Sequence, residues 1–124
     1  DFVMSRQTSS QGCFCPVATS TFAESNADHP CFDQQPIETL ATVEACLAAW
    51  RTTNDPRRAK AGRDAFMWFG GDNDHAVALA NPQGGACYDA LTVDGVNRNQ
   101  GAESILAYHL ASAAIRDFLR RRPV

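Results

Sequence analysis

The stretch that decides the fold is residues 36–70, which read PIETLATVEACLAAWRTTNDPRRAKAGRDAFMWFG. Apolar side chains recur every three or four residues in its first half, which is the spacing of one helical face. Pro36 suits the first turn of a helix, because its missing N–H would have no intrahelical partner there. We therefore predict a first helix over residues 36–52. Its apolar stripe consists of Ile37, Leu40, Val43, Leu47 and Trp50.

A second helix is predicted over residues 55–70. Asn54 or Asp55 can cap it, Pro56 can open it, and the Gly70-Gly71 pair can end it. Because the connection is so short, the two helices must lie antiparallel as an αα-hairpin. The stripe of the second helix consists of Ala59, Gly62, Ala65, Phe66, Trp68 and Phe69.

The rest of the chain divides into three segments. Residues 1–35 are rich in Ser, Thr, Gln and Pro and predict an extended loop, with a short strand around residues 12–16. Residues 71–101 contain five of the eight glycines and predict a long loop, within which 76–80 and 86–90 can pair as a small β-hairpin. Residues 102–121 are apolar nearly all round and predict a last helix that must be covered on several sides.

Composition indicates a small folded protein. Hydrophobic residues make up 44% of the 124 residues and charged residues 20%, which excludes a disordered chain. The net charge of −3 argues against a dedicated nucleic-acid binder. No apolar run reaches the roughly 20 residues of a membrane-spanning helix. No signal peptide is visible, so the five cysteines predict free thiols and a cytoplasmic location.

Polar residues concentrate beside helix ends in three clusters, at 33–38, 70–75 and 95–104. In an antiparallel hairpin the first two clusters meet at one end. Carboxylates, carboxamides and free N–H groups suit a hydroxyl-rich ligand, although the same residue types also serve as ordinary caps and turns. If the clusters form one site, its predicted ligand-binding residues are Asp33, Gln34, Asp72, Asp89, Asn99, Gln100 and Glu103.

The sequence offers one candidate catalytic pair, and it predicts neither a metal site nor a cofactor. Asp33 and Glu103 are candidate catalytic residues, as an acid/base pair of the kind that hydrolyses glycosides. No metal site is expected, because Asp72-Asn73-Asp74 follows a helix rather than a strand and Cys13-x-Cys15 lacks the spacing of familiar zinc pairs. The chain has neither a Gly-rich phosphate loop nor a nucleophile elbow, and no cofactor is predicted.

Five short sequence motifs follow one another along the chain, in an order that recurs in other proteins. They are GCFCP at 12–16, FDQQPIE at 32–38, WFGGDND at 68–74, GGACYDAL at 84–91 and GVNRNQGAES at 95–104. Together they resemble the C-terminal end of a helical domain in bacterial glycosyltransferases or mannosyltransferases, a domain similar to an (α/α) toroid. The resemblance implies an all-α fold, namely a partial toroid made of the αα-hairpin and a further C-terminal helix with long loops. One incomplete helical domain over 1–124 is therefore expected.

The same resemblance implies a function. The chain would be the C-terminal helical segment of a glycosyltransferase-type, carbohydrate-active protein, with a carbohydrate as its ligand and a sugar-binding face built by its loops. Transferases of this kind bind nucleotide sugars with α/β domains that the chain does not contain, so we expect the isolated chain to be inactive. Two alternatives stay open. One is a non-catalytic helical interaction module, and the other is a glycoside-processing toroid that uses an Asp/Glu pair.

The last helix also predicts self-association. The αα-hairpin can cover only part of its apolar circumference, and large apolar patches are uncommon on monomers. We therefore expect a homodimer or higher oligomer with this helix at the interface. Its large apolar residues are Ile105, Leu106, Leu110, Ile115, Phe118 and Leu119.

Overall fold

A computed structural model describes residues 2–18 and 32–121. Within these ranges the protein is a mostly helical small domain with one two-stranded antiparallel β-hairpin. The elements are α1 (Phe2–Arg6), α2 (Pro36–Thr53), α3 (Pro56–Met67), β1 (Ala90–Thr92), β2 (Gly95–Asn97) and α4 (Ala102–Arg121).

Helix α2 agrees with the predicted first helix to within one residue at its C-terminal end. Pro36 occupies its first turn, and the Glu38 carboxylate accepts a hydrogen bond from the Gln35 N–H at 3.3 Å. Burial raises the pKa of the Glu38 carboxyl, and this hydrogen bond partly offsets the rise. Leu40, Val43 and Leu47 are buried as predicted. Ile37 was wrongly assigned to the same stripe, because 40% of it is exposed.

Helix α3 begins as its capping signals predict. The Asp55 side chain accepts a hydrogen bond from the Arg57 N–H at 3.0 Å, and Pro56 follows the cap. The α-helix ends at Met67, three residues earlier than predicted, and continues as the 3₁₀ turn Trp68–Gly70. Gly71 then ends the turn with φ of 112°, a conformation that glycine adopts without strain.

The three long helices pack together, with α3 antiparallel to α2 and α4 parallel to it. The parallel arrangement follows from a contact between the two C-terminal ends, where the Trp50 ring meets the Phe118 ring edge-on at 4.7 Å. Helix α4 also contacts the end of α3, where Phe66 stacks on Tyr108 at 6.4 Å. The N-terminal ends of α2 and α4 therefore lie side by side, and this places the site described below.

Helix α4 has the predicted bounds, but it is covered on one face rather than on several sides. The covered face consists of Ser104, Ala107, Ala111, Ile115 and Phe118. Leu106 and Leu110 are 59% and 45% exposed, and the exposed Ala113 continues the same outer face at helical spacing.

The N-terminal segment differs from the predicted loop. It contains the short helix α1, and in place of a strand at 12–16 it has a single antiparallel bridge between Thr8 and Phe14. Helix α1 has only five residues, so it carries too little periodicity to be recognised. The Gln7 amide donates to the Thr42 hydroxyl at 2.9 Å and holds the segment against α2. Part of the loop prediction, residues 19–31, lies outside the described residues.

The β-hairpin lies further along the chain than predicted. Residues 76–80 and 86–90 form only one bridge, between Ala80 and Cys87, whereas the hairpin pairs β1 with β2. The physical reason is a tertiary contact, since the N–H groups of Leu79 and Ala80 both donate to the Phe69 carbonyl instead of to a partner strand.

Two general features complete the fold. None of the helices in the described ranges has both the length and the apolar character needed to cross a bilayer. None of the four described cysteines is in a disulfide bond: Cys13, Cys15, Cys46 and Cys87. Burial, assisted by the nearby Asp89 carboxylate, raises the pKa of the Cys87 thiol to about 12. Cys31 lies outside the described residues.

Candidate functional site

An open cleft of about 480 Å³ lies where the N-terminal ends of α2 and α4 meet the β-hairpin. Residues of the first polar cluster form one side, and residues of the third cluster form the other. No Lys, Arg or His is among the described residues that line it. The polar side chains of the lining are Asp33, Gln35, Asp89, Thr92, Asn97, Glu103 and Ser104.

The first cluster is held beside the hairpin by backbone pairing. The Gln34 N–H donates to the Leu91 carbonyl and the Leu91 N–H donates to the Gln34 carbonyl, both at 2.9 Å. Because successive side chains of an extended segment point in opposite directions, Asp33 and Gln35 line the cleft while Gln34 points into the core.

Asp89 ties the start of α4 to the hairpin. Its carboxylate accepts a hydrogen bond from the Gly101 N–H at 2.7 Å, and its own N–H donates to the Asn99 carbonyl at 2.9 Å. A Cβ atom at Gly101 would stand 3.0 Å from the Asp89 carboxylate, so a larger residue there would push that carboxylate aside by a few tenths of an ångström. Asp89 lines the cleft, but one of its oxygens is already committed to the protein.

Two carboxylates of the cleft are uncommitted, whereas the Thr92 hydroxyl donates to the Gly95 carbonyl at 3.0 Å and the Asn97 side chain accepts from the Asn99 N–H at 3.1 Å. Within the described part of the chain, the side chains of Asp33 and Glu103 make no hydrogen bond or ion pair. Gln35 is the N-cap residue of α2 and takes part with Glu38 in a capping box. The first intrahelical bond of α4 runs from the Ile105 N–H to the Gly101 carbonyl at 3.1 Å. The preceding N–H groups at the start of α4 therefore have no intrahelical acceptor.

Ser104 is buried, although it lines the cleft. Only 6% of its surface is exposed, and its hydroxyl makes no hydrogen bond with any residue that the structure describes. Among the described side chains, two polar atoms are sealed from solvent without a partner, Gln7 Oε1 and Ser112 Oγ. The Ser104 hydroxyl is not one of them, so it keeps contact with solvent, and Ser104 lines the cleft.

Gln34, predicted to bind a ligand, lies in the core and joins the first two clusters there. Its Nε2 donates to Asp74 at 2.9 Å and to the Cys15 sulfur at 3.2 Å. Its Oε1 accepts a hydrogen bond from the Trp68 indole N–H at 2.8 Å. The first and second clusters thus meet as predicted, but through a fully buried side chain that no ligand can reach.

The second cluster turns away from the cleft. Asp72 is exposed and lies beside Cys13, whose thiol pKa is raised by burial and by this carboxylate. The Asn73 amide donates to the carbonyls of Trp68 and Val77 at 2.9 and 2.8 Å, which makes it a turn residue. No group of three potential metal ligands is found among the described residues.

Three of the seven predicted ligand-binding residues come together in the cleft: Asp33, Asp89 and Glu103. Gln34 and Asp72 lie elsewhere, and so do the two remaining residues. Asn99 is exposed, with its carbonyl paired to Asp89, and Gln100 lines a separate cavity of about 250 Å³.

Sequence reasoning missed four polar lining residues. Gln35, Asn97 and Ser104 belong to the first and third polar clusters, so membership of a cluster was their only signal. Thr92 lies outside the clusters, and no feature of the sequence marked it as a lining residue.

Comparison with protein-family models and with curated proteins finds no match for this chain. The resemblance to the helical domains of glycosyltransferases therefore stays a prediction. The chemistry of the cleft has to carry the functional conclusion.

Proposed function

We propose that this chain is the C-terminal helical segment of a glycosyltransferase-type, carbohydrate-active protein, built as part of an (α/α) toroid, and that the cleft binds a sugar. One observation carries the proposal. Carboxylates from three separate segments of the chain, at positions 33, 89 and 103, line one open cleft. Its volume of about 480 Å³ lies within the usual range of small-molecule sites.

The hydrogen-bonding groups of the cleft suit hydroxyls. A hydroxyl both donates and accepts, so it needs both kinds of group around it. The Asp33 and Glu103 carboxylates accept, the N–H groups at the start of α4 donate, and the Gln35 carboxamide does both. A sugar ring presents several hydroxyls at once and can use all three.

Sugar binding is tested by titrating the chain with neutral mono- and disaccharides while its backbone amide NMR resonances are followed. We expect shifts at residues 33–35 and 101–104. Asp33→Ala and Glu103→Ala should each weaken binding by about 10- to 100-fold, since a hydrogen bond to a charged group contributes about 1.5–3 kcal/mol.

Glu44→Ala is the matched control, because Glu44 is an exposed carboxylate of α2 that does not line the cleft. Its binding should equal that of the unmodified chain. Saccharides that leave all of these resonances unmoved would contradict the proposal. Hydrolysis of a glycoside by the chain, abolished in both cleft variants, would instead favour the glycoside-processing alternative, with Asp33 and Glu103 as the acid/base pair.

The alternative of an interaction module is supported by the outer face of α4. Leu106 and Leu110 are 59% and 45% exposed on the side away from the core. Burying a leucine side chain fully stabilises an assembly by about 1.5–3 kcal/mol. A dimer in which a second copy covers this face would therefore be stabilised by the burial of both leucines.

We expect a homodimer in sedimentation equilibrium, and a monomer when Leu106 and Leu110 are both replaced by Gln. Met67→Gln is the control, because Met67 is 52% exposed on α3. It should leave the dimer intact. A 13.5 kDa species for the unmodified chain at tens of micromolar would rule out this association.

A further inference from the structure

We propose that the cleft selects uncharged sugars and rejects anionic ones, so that it holds the glycosyl acceptor rather than a nucleotide-sugar donor. The inference rests on the proposed function, because it names the class of sugar that the same cleft takes. It follows from the charge of the lining and from the position of one buried hydroxyl.

The lining is acidic and has no cation of its own. Asp33 and Glu103 have no ion-pair partner in the described part of the chain, and Asp89 accepts a hydrogen bond from a backbone N–H, which leaves its charge in place. Arg98, which follows the lining residue Asn97 in sequence, does not itself line the cleft, and its guanidinium lies 5.4 Å from the centre of the Tyr88 ring. A cleft with charges of one sign focuses its field on a bound ligand, so a sugar phosphate would be repelled.

The two helix N-termini do not reverse this conclusion. Each corresponds to roughly half a positive charge and would favour an anion. Carboxylates of the protein already meet both ends, since Glu38 lies in the first turn of α2, Glu103 lies in the first turn of α4, and Asp89 binds the Gly101 N–H. The negative charges therefore outweigh the dipoles.

Ser104 gives an independent indication that a hydroxyl is bound. Its side chain is 94% buried at the base of α4, and its hydroxyl lacks a hydrogen-bond partner among the described residues. Because that hydroxyl is open to solvent and Ser104 lines the cleft, a ligand hydroxyl can bond to it there.

An uncharged hydroxyl matches the whole lining better than either kind of ion. A phosphate only accepts hydrogen bonds, so it could use the N–H groups of α4 but not the carboxylates. An ammonium group only donates, so it would leave those N–H groups unpaired. A pair of sugar hydroxyls can donate to Asp33 and Glu103 and accept from Ser104 and from the start of α4.

The test compares the dissociation constants of mannose and glucose with those of their 1-phosphates, using the full chain at low ionic strength. We expect each phosphate to bind at least about tenfold more weakly than its parent sugar. The difference should shrink as salt is added, since salt screens charge repulsion. In the double variant Asp33→Asn/Glu103→Gln, which keeps the shape of both side chains, the ratio should fall towards one.

Two further variants separate charge from hydrogen bonding. Ser104→Ala should weaken the neutral sugars by roughly two- to tenfold, the effect of one ordinary hydrogen bond, while the phosphate ratio stays as it was. Glu44→Gln removes an exposed charge outside the cleft and should change neither quantity.

The failures can be told apart. If neither sugar nor phosphate binds, the proposed sugar site is wrong and this inference is wrong with it. If both bind and the phosphates bind as tightly as the sugars, or if the double variant discriminates as strongly as the unmodified chain, the sugar site stands and the selection against anions is refuted.

Discussion

Gln34→Ala is expected to lower the free energy of unfolding by about 3–5 kcal/mol. The side chain is fully buried and bonded at both ends of its amide, to Trp68 on one side and to Asp74 and Cys15 on the other. Truncation leaves the Trp68 indole N–H buried without an acceptor and opens a cavity where the amide lay. Both effects destabilise the fold, and neither is relieved by water in a closed core.

Urea unfolding followed by circular dichroism measures this loss, and Gln35→Ala is the matched control. Gln35 is the next residue and has the same side chain, but it is only partly buried and serves as the N-cap residue of α2. The control should lower stability by only about 1 kcal/mol or less, the usual cost of losing an N-cap side chain. Equal losses in the two variants would mean that the Gln34 network contributes nothing.

The three long helices were predictable because their signals are local. Pro36 and Asp55-Pro56 mark helix starts through groups within a few residues of each other, and α4 was predicted with its observed bounds. The hairpin was placed wrongly because a distant carbonyl, that of Phe69, takes the N–H groups of Leu79 and Ala80. No local pattern records such a contact.

The site was only half predictable, for a related reason. Its polar clusters were visible in the sequence, but which of them meet depends on α4 running parallel to α2, and that direction is set by packing such as the Trp50–Phe118 contact. Residue type also cannot separate a ligand-binding amide from a buried one. Gln34 and Gln35 are adjacent and chemically identical, and only the extended backbone between them sends one into the core and the other to the cleft.

The second large effect is expected for Gly62→Leu, which should cost about 3 kcal/mol of stability. Gly62 is buried where α3 packs on α2, and a Cβ atom there would stand 3.3 Å from both Cys46 Cβ and a methyl group of Leu47. The Leu47 side chain can rotate away, but Cys46 Cβ is fixed to the backbone of α2. A leucine at position 62 therefore forces the two helices apart and loosens the core between them.

Smaller and matched substitutions at glycines test this explanation. Gly62→Ala should be nearly neutral, because alanine favours the helix by about 1 kcal/mol over glycine while its methyl group meets the same tight contacts. Gly70→Leu introduces the same side chain at an exposed position where a Cβ atom has no neighbour within 4 Å, so the fold should tolerate it. Urea midpoints of the three variants separate the effects. If Gly62→Leu were as stable as Gly70→Leu, the tight contact of position 62 with Cys46 and Leu47 would not limit the packing of α3 on α2.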